Sequence, residues 1–167
     1  MQLKFQVHTK IQKPLAEVFD AVYNPTKLSA YFATGGASAP LNEGATVIWR
    51  FADYPGDAPV TVKKLILNQL IVFEWDAYEP PDKSGADKVE DKPENKLPPS
   101  TGYKTTVEMT FESLGPANTL VRITESGWRE TQRGLDGSYG NCMGWTQMLC
   151  ALKAWLEHSI NLREGAF

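Results

Sequence analysis

The chain has 167 residues, 42% of them hydrophobic and 22% charged, with a formal net charge of −3 at pH 7. That is enough chain for one substantial core. The near-neutral balance excludes the electrostatic footprint of a nucleic-acid or anionic-membrane binder, and no apolar run is long enough to span a bilayer.

The amino terminus, MQLKFQVHTK, alternates apolar and polar residues and has no signal-peptide core, so a cytoplasmic setting is the expectation. Leu3, Phe5, Val7, Thr9 and Ile11 fall on one face of a strand of period two. Pro14 then opens a helix whose apolar side is Leu15, Val18, Phe19 and Val22, and Asn24-Pro25 ends it. Thr26 is the expected cap of a second short helix carrying Leu28, Tyr31 and Phe32, which breaks at Gly35-Gly36.

From Thr46 the period returns to two, with Val47, Trp49 and Phe51 on one face and Thr46, Ile48 and Arg50 on the other. The Pro/Gly/Asp stretch from Asp53 to Pro59 reads as a turn before a strand from Val60 to Leu67. Asn68-Gln69 links it to a strand from Leu70 to Ala77, where Ile71, Phe73 and Trp75 share a face. Residues 79–102, rich in proline, glycine and mixed charge, have little to bury and read as an exposed loop inserted in a single domain, 1–167. Tyr103, Thr105, Val107, Met109 and Phe111 then make one face of a long strand. A turn at Gly115 to Asn118 leads to the last strand, with Thr119, Val121, Ile123 and Glu125 in the inward register.

The final stretch, Gly137 to about Leu162, repeats Cys142, Trp145, Leu149, Leu152, Leu156 and Ser159/Ile160 at steps of three and four, with Met148 and Trp155 widening the stripe. It predicts a helix about 30 Å long from Gly140 onward. The order of strand, two short helices, about five further antiparallel strands and a long helix has no βαβ alternation, so the class is α+β. A twisted sheet of about six strands gripping one helix predicts a cavity between them.

Cys142 and Cys150 would lie about 12 Å apart on that helix, too far to pair, and read as small buried hydrophobes. With two histidines, His8 facing outward and His158 near a helix end, no metal site and no cofactor are expected. No G-x-S-x-G element and no phosphate-binding glycine loop is present. Glu125 is the one candidate for chemistry. If the last strand stays regular, its carboxylate enters the interior and its pKa rises, as suits a general acid or a ligand anchor; if the strand bulges near Ser126-Gly127, Glu125 reaches solvent, Arg129 or Arg133. Trp49, Phe51, Phe73, Trp75, Tyr103, Trp128, Trp145 and Met148 complete the expected lining.

The segments KPLAEVFDAVYNPTKLSAYF, EGATVIWRF, LILNQLIVFEW, TLVRITESGW and GWTQMLCALKAWLE, in this order and spacing, resemble the START-like superfamily with the helix-grip fold, in the branch named after the activator of the heat-shock protein 90 ATPase. Nearly the whole chain is covered, the 79–102 loop being the main departure. The resemblance implies a domain that holds a small hydrophobic ligand between sheet and terminal helix, like the small prokaryotic members. It also leaves open a cyclase- or hydrolase-type enzyme, with Glu125 and Tyr139 or Tyr103 moving protons, and a chaperone-associated protein-binding module of the stress response. The eukaryotic activators carry a second domain for that last role. Tyr54, Ile48 and Leu120, on outward faces, are where a homodimer would form.

Overall fold

The computed structural model describes residues 1–80 and 101–165. In chain order its elements are β1 (Leu3–Ile11), α1 (Leu15–Tyr23), α2 (Pro25–Ser29), β2 (Gly36–Ala37), β3 (Thr46–Phe51), β4 (Tyr54–Ile66), β5 (Leu70–Asp76), β6 (Lys104–Gly115), β7 (Asn118–Trp128) and α3 (Gln132–His158). The strands form one antiparallel sheet in the order β1-β7-β6-β5-β4-β3-β2. Consecutive strands are neighbours except β1, which joins the far edge beside β7. α3 lies across β1 and β7, and α1 packs on β6 and β7. This curved sheet around a terminal helix is the α+β helix-grip arrangement.

The alternating faces predicted for β1, β3, β5, β6 and β7 are the observed ones. In β6 the buried residues are Thr105, Val107, Met109 and Phe111, and in β7 they include Thr119, Val121, Ile123 and Glu125. These side chains meet α1 and α3 in one continuous core with Ile11, Phe19, Leu28 and Leu152. Burying apolar surface at about 25 cal/mol per Å² is what holds a sheet and helix of this size together.

Several boundaries differ from expectation, each for a local reason. β4 begins at Tyr54, so the predicted turn at Asp53 to Pro59 is mostly strand and the reversal is at Ala52-Asp53, with Phe51 opposite Tyr54. Gly56 there adopts φ of +141°, a backbone that lets the strand twist past a register shift in the β3–β4 pairing. The cap of α2 is Asn24, not Thr26: its side chain accepts from the Thr26 and Lys27 amides, with Pro25 at the first helical position, where no amide donor is needed. Tyr31 and Phe32 follow that helix in turns, and Gly36 opens the short β2, which raises the strand count to seven.

α3 starts at Gln132, eight residues before the predicted Gly140, because Thr131 caps it by accepting from the Gly134 amide at 3.0 Å. It ends at His158, so Ser159, in the left-handed conformation, and Ile160 lie beyond the helix. Leu120, expected outside, is 8% exposed. Cys150, expected inside, is exposed, and Cys142 is half-buried. Glu79, at the edge of the predicted exposed loop, is 8% exposed; residues 81–100 of that loop lie outside the described residues.

Candidate functional site

β7 carries Glu125 into the interior, and the route is legible in the pairing. Phe5 and Val107 stand opposite Glu125 on the two neighbouring strands, and the ladder is unbroken through that position. A bulge does occur, one step later: Leu3 pairs with Trp128 and Lys4 with Ser126, which leaves Gly127 unpaired at φ of +92°. That extra residue turns Trp128 inward, where it is buried. Glu125 therefore keeps the inward register, and the alternative in which it reaches solvent, Arg129 or Arg133 is not what forms.

The Glu125 carboxylate is 0% exposed and accepts five hydrogen bonds from neutral groups. Oε1 takes the Thr105 hydroxyl at 2.6 Å, the Trp75 indole N–H at 3.0 Å and the Asn141 amide at 3.1 Å. Oε2 takes the Trp145 indole N–H at 2.8 Å and the same Asn141 amide at 3.2 Å. Three elements build this cage: Trp75 comes from β5, Thr105 from β6, and Asn141 and Trp145 stand four residues apart on one face of α3. Burial pushes the Glu125 pKa up, and the bonds from Thr105, Trp75, Trp145 and Asn141 pull it part of the way back, leaving it raised.

Aromatic rings pack against the cage. Trp75 and Trp145 have centroids 5.1 Å apart, Phe73 lies 6.0 Å from Trp75 and 5.4 Å from Trp49, and Phe32 stacks on Trp145 at 5.8 Å. These tilted, edge-to-face and stacked contacts gather the rings between the sheet and α3 around Trp145. Trp49 is 0% exposed, yet its indole N–H has no hydrogen-bond partner among the described residues. Trp75 and Asn141 are half-buried and form the solvent side of the group.

Of the predicted residues, the structure brings together Glu125, Trp49, Phe73, Trp75 and Trp145, with Met148 buried further along α3. Phe51 lies at the rim of the same ring cluster, 5.2 Å from Phe32, with the Arg163 guanidinium 5.4 Å from its ring. Trp128 is buried against α3 beside Gly137. Tyr103 is elsewhere: its hydroxyl donates to Glu79 at 2.8 Å and Arg129 lies over its ring at 4.3 Å. Tyr139 is exposed on the outside of α3, so neither tyrosine hydrogen-bonds Glu125. Thr105 and Asn141 were not singled out in the sequence. Asn141 had a usable signal, a polar residue one turn before Trp145 on the same face; Thr105 had only its place in the inward set of β6.

The model of the family described as activator of Hsp90 ATPase homolog 1-like protein matches residues 12–157. The chain belongs to this family. The match runs from the end of β1 through nearly all of α3, so it includes every member of the Glu125 cage. Solved structures share the helix-grip fold of this family member. Protein SSP2350 from Staphylococcus saprophyticus is 22% identical, with a TM-score of 0.71 and 96% of each chain covered. Protein MLL2253 from Mesorhizobium loti is 19% identical, with a TM-score of 0.68, over 95% of this chain and 99% of that one. The Aha1 dimer from Colwellia psychrerythraea, solved in solution, is 22% identical, with a TM-score of 0.66, over 93% and 97%. No curated protein matches the sequence. Among the described residues no helix is long and apolar enough to cross a membrane, and no group of metal-ligating side chains is gathered.

Proposed function

We propose that this chain binds a small hydrophobic or aromatic molecule between the sheet and α3, with Glu125 as the polar anchor and Trp49, Phe73, Trp75 and Trp145 as the apolar wall. The observation that carries the reading is the Glu125 carboxylate, fully buried and held by five hydrogen bonds from four neutral donor groups. A buried charge is costly, and a hydrophobic side chain of similar size would stabilise the fold as well or better. Locally unfavourable choices of this kind collect at functional sites. The family and the fold, a sheet closed on one helix, support the same reading.

Entry of a ligand between Trp75 and Trp145, whose ring centroids are 5.1 Å apart, has to shift one of them. Trp75, half-buried at the end of β5, and the first half of α3 are the parts able to yield, since that half carries Gly134, Gly137, Gly140 and Gly144 and each glycine weakens a helix by about 1 kcal/mol relative to alanine. The test uses native mass spectrometry together with tryptophan fluorescence, because Trp49, Trp75 and Trp145 all report on the site. A panel of neutral aromatic compounds, fatty acids, sterols and polyketide-like rings is titrated in. The expected result is a one-to-one complex with a shift in emission. No complex with any member at millimolar concentration overturns the reading.

A further inference from the structure

We infer that the molecule held beside Glu125 carries a positive charge: the site is built for a small organic cation, an amine or quaternary ammonium with an oxygen acceptor. This inference rests on the ligand-binding reading above and adds the chemical class.

Three observations converge on it. First, the Glu125 carboxyl takes five hydrogen bonds that all come from uncharged groups, two indole N–H groups, one hydroxyl and two contacts from one amide, and no cationic side chain among the described residues pairs with it when it is ionised. Neutral donors orient a carboxylate but do not cancel its charge, and in a low-dielectric interior the missing counter-charge is the largest uncompensated quantity. Secondly, the carboxylate sits among aromatic rings, two of which, Trp75 and Trp145, turn their N–H edges to it. Trp75 and Trp145 lie 5.1 Å apart at an angle of 33°, with Trp49 6.2 Å from Trp75 and Phe73 6.2 Å from Trp145. A guest lodged between these rings meets their π-faces, which attract a cation more strongly than a neutral or anionic group of the same shape. Thirdly, the Trp49 indole N–H is buried with no partner among the described residues, which asks the guest for a hydroxyl, ether or carbonyl oxygen as well.

The approach to the carboxylate is also in place. Trp75 and Asn141, the two half-buried members of the cage, separate Glu125 from solvent. Beside Asn141 and Trp145, Gly140 and Gly144 have nothing within 4 Å of where a Cβ would stand. A cation that displaces the Asn141 amide from Oε1 and Oε2 sets a positive charge against the carboxylate where a neutral donor stood and leaves the indole bonds intact.

The test compares choline with 3,3-dimethylbutan-1-ol, which has the same shape and hydroxyl but a carbon in place of the charged nitrogen. Binding is read by tryptophan fluorescence and calorimetry on the full chain. Wild type should bind choline at least tenfold more tightly than the alcohol, and Glu125→Gln should reduce that preference to within threefold while circular dichroism shows the fold intact. Trp75→Leu, at a half-buried position, should weaken choline at least threefold and the alcohol less; it keeps the test decisive if the Gln variant does not fold. Equal binding of the two probes by wild type, or choline binding untouched by either substitution, overturns the cation assignment and leaves the hydrophobic-ligand reading standing. Binding of neutral aromatics with no response to choline does the same. Failure of every probe and of the whole panel overturns both.

Discussion

Replacing Glu125 by glutamine keeps the size of the side chain and removes its charge. With the amide carbonyl at the Oε1 position it still accepts from Trp75, Thr105 and Asn141, but its NH2 then faces the Trp145 N–H that stood 2.8 Å from Oε2. The Trp145 N–H and the new NH2 are then both buried donors without an acceptor, which costs about 1–3 kcal/mol each at every pH. Wild type carries a pH-dependent contribution instead. Burial holds the folded-state pKa of Glu125 above its unfolded value, so the stability linked to it is complete below the unfolded pKa of about 4.3. That stability is lost as the pH rises through the raised folded value, at up to about 1.4 kcal/mol per pH unit. The unfolding free energy of wild type minus that of Glu125→Gln should therefore fall between pH 4 and the folded-state pKa and level off above it. Urea melts of both proteins from pH 4 to 8 measure it, and subtraction cancels the other titrating groups. A difference that is flat or grows with pH refutes the account of Glu125 as a carboxyl destabilised by burial.

Two glycines of α3 should respond oppositely to alanine. A Cβ at Gly137 would collide with the Tyr78 carbonyl oxygen and stand 3.0 Å from the Trp128 ring, so Gly137→Ala should destabilise by about 2 kcal/mol or more despite its better helix propensity, whereas Gly140→Ala, with open space at that point, should stabilise by about 0.5–1 kcal/mol in thermal melts. Asp53 and Arg163 form a half-buried pair at 2.6 Å, with the guanidinium 5.8 Å from the Phe32 ring and 5.4 Å from that of Phe51; a double-mutant cycle on Asp53→Asn and Arg163→Gln should give a coupling of about 1–2 kcal/mol, and a value near zero would remove the pair from any role in holding the chain after α3. Glu157 behaves as the reverse of Glu125. Burial pushes its pKa up, but the Gln12 amide at 2.7 Å and Lys153 at 2.6 Å outweigh it and the value is lowered. Its stabilising contribution is present above the unfolded pKa and lost as pH falls through the folded one, so Glu157→Gln should be destabilised relative to wild type at pH 7 and approach it below pH 4.

Most of the sheet was legible because a strand buried on one face repeats every two residues. The inward sets of β1, β6 and β7, Glu125 included, could be written down from that period alone. Where the reading failed, a tertiary contact outweighed a local preference. Pro59 and Gly56 look like turn residues, yet they lie in β4 because this end of the strand pairs with β3, at Tyr54 and again from Ala58 to Thr61, and that ladder offers hydrogen bonds that a turn would not. The cage is a different case. Glu125 and Trp145 could each be assigned a face, but their meeting depends on how α3 docks on the sheet, and neither period contains that distance. Asn141 and Thr105 become visible only once it is known.

The glycines of α3 explain both the missed start of the helix and the existence of the site. Gly134, Gly137 and Gly140 are all weak helix formers, and the predicted helix runs only from Gly140 onward. In the fold, the first two lie where the helix backbone presses on other backbone: a Cβ at Gly134 would collide with the Arg129 carbonyl oxygen, and one at Gly137 with that of Tyr78. Any larger residue would lift the first turns of α3 away from the β5 and β7 ends of the sheet. Asn141 and Trp145 sit one and two turns further along the same helix, and their bonds to Glu125 of 2.8 to 3.2 Å tolerate little such displacement. The weak helix formers are thus what brings two donors from α3 onto a carboxylate from β7, and the helix propensity they forgo leaves that half of α3 the easier one to move when a guest enters.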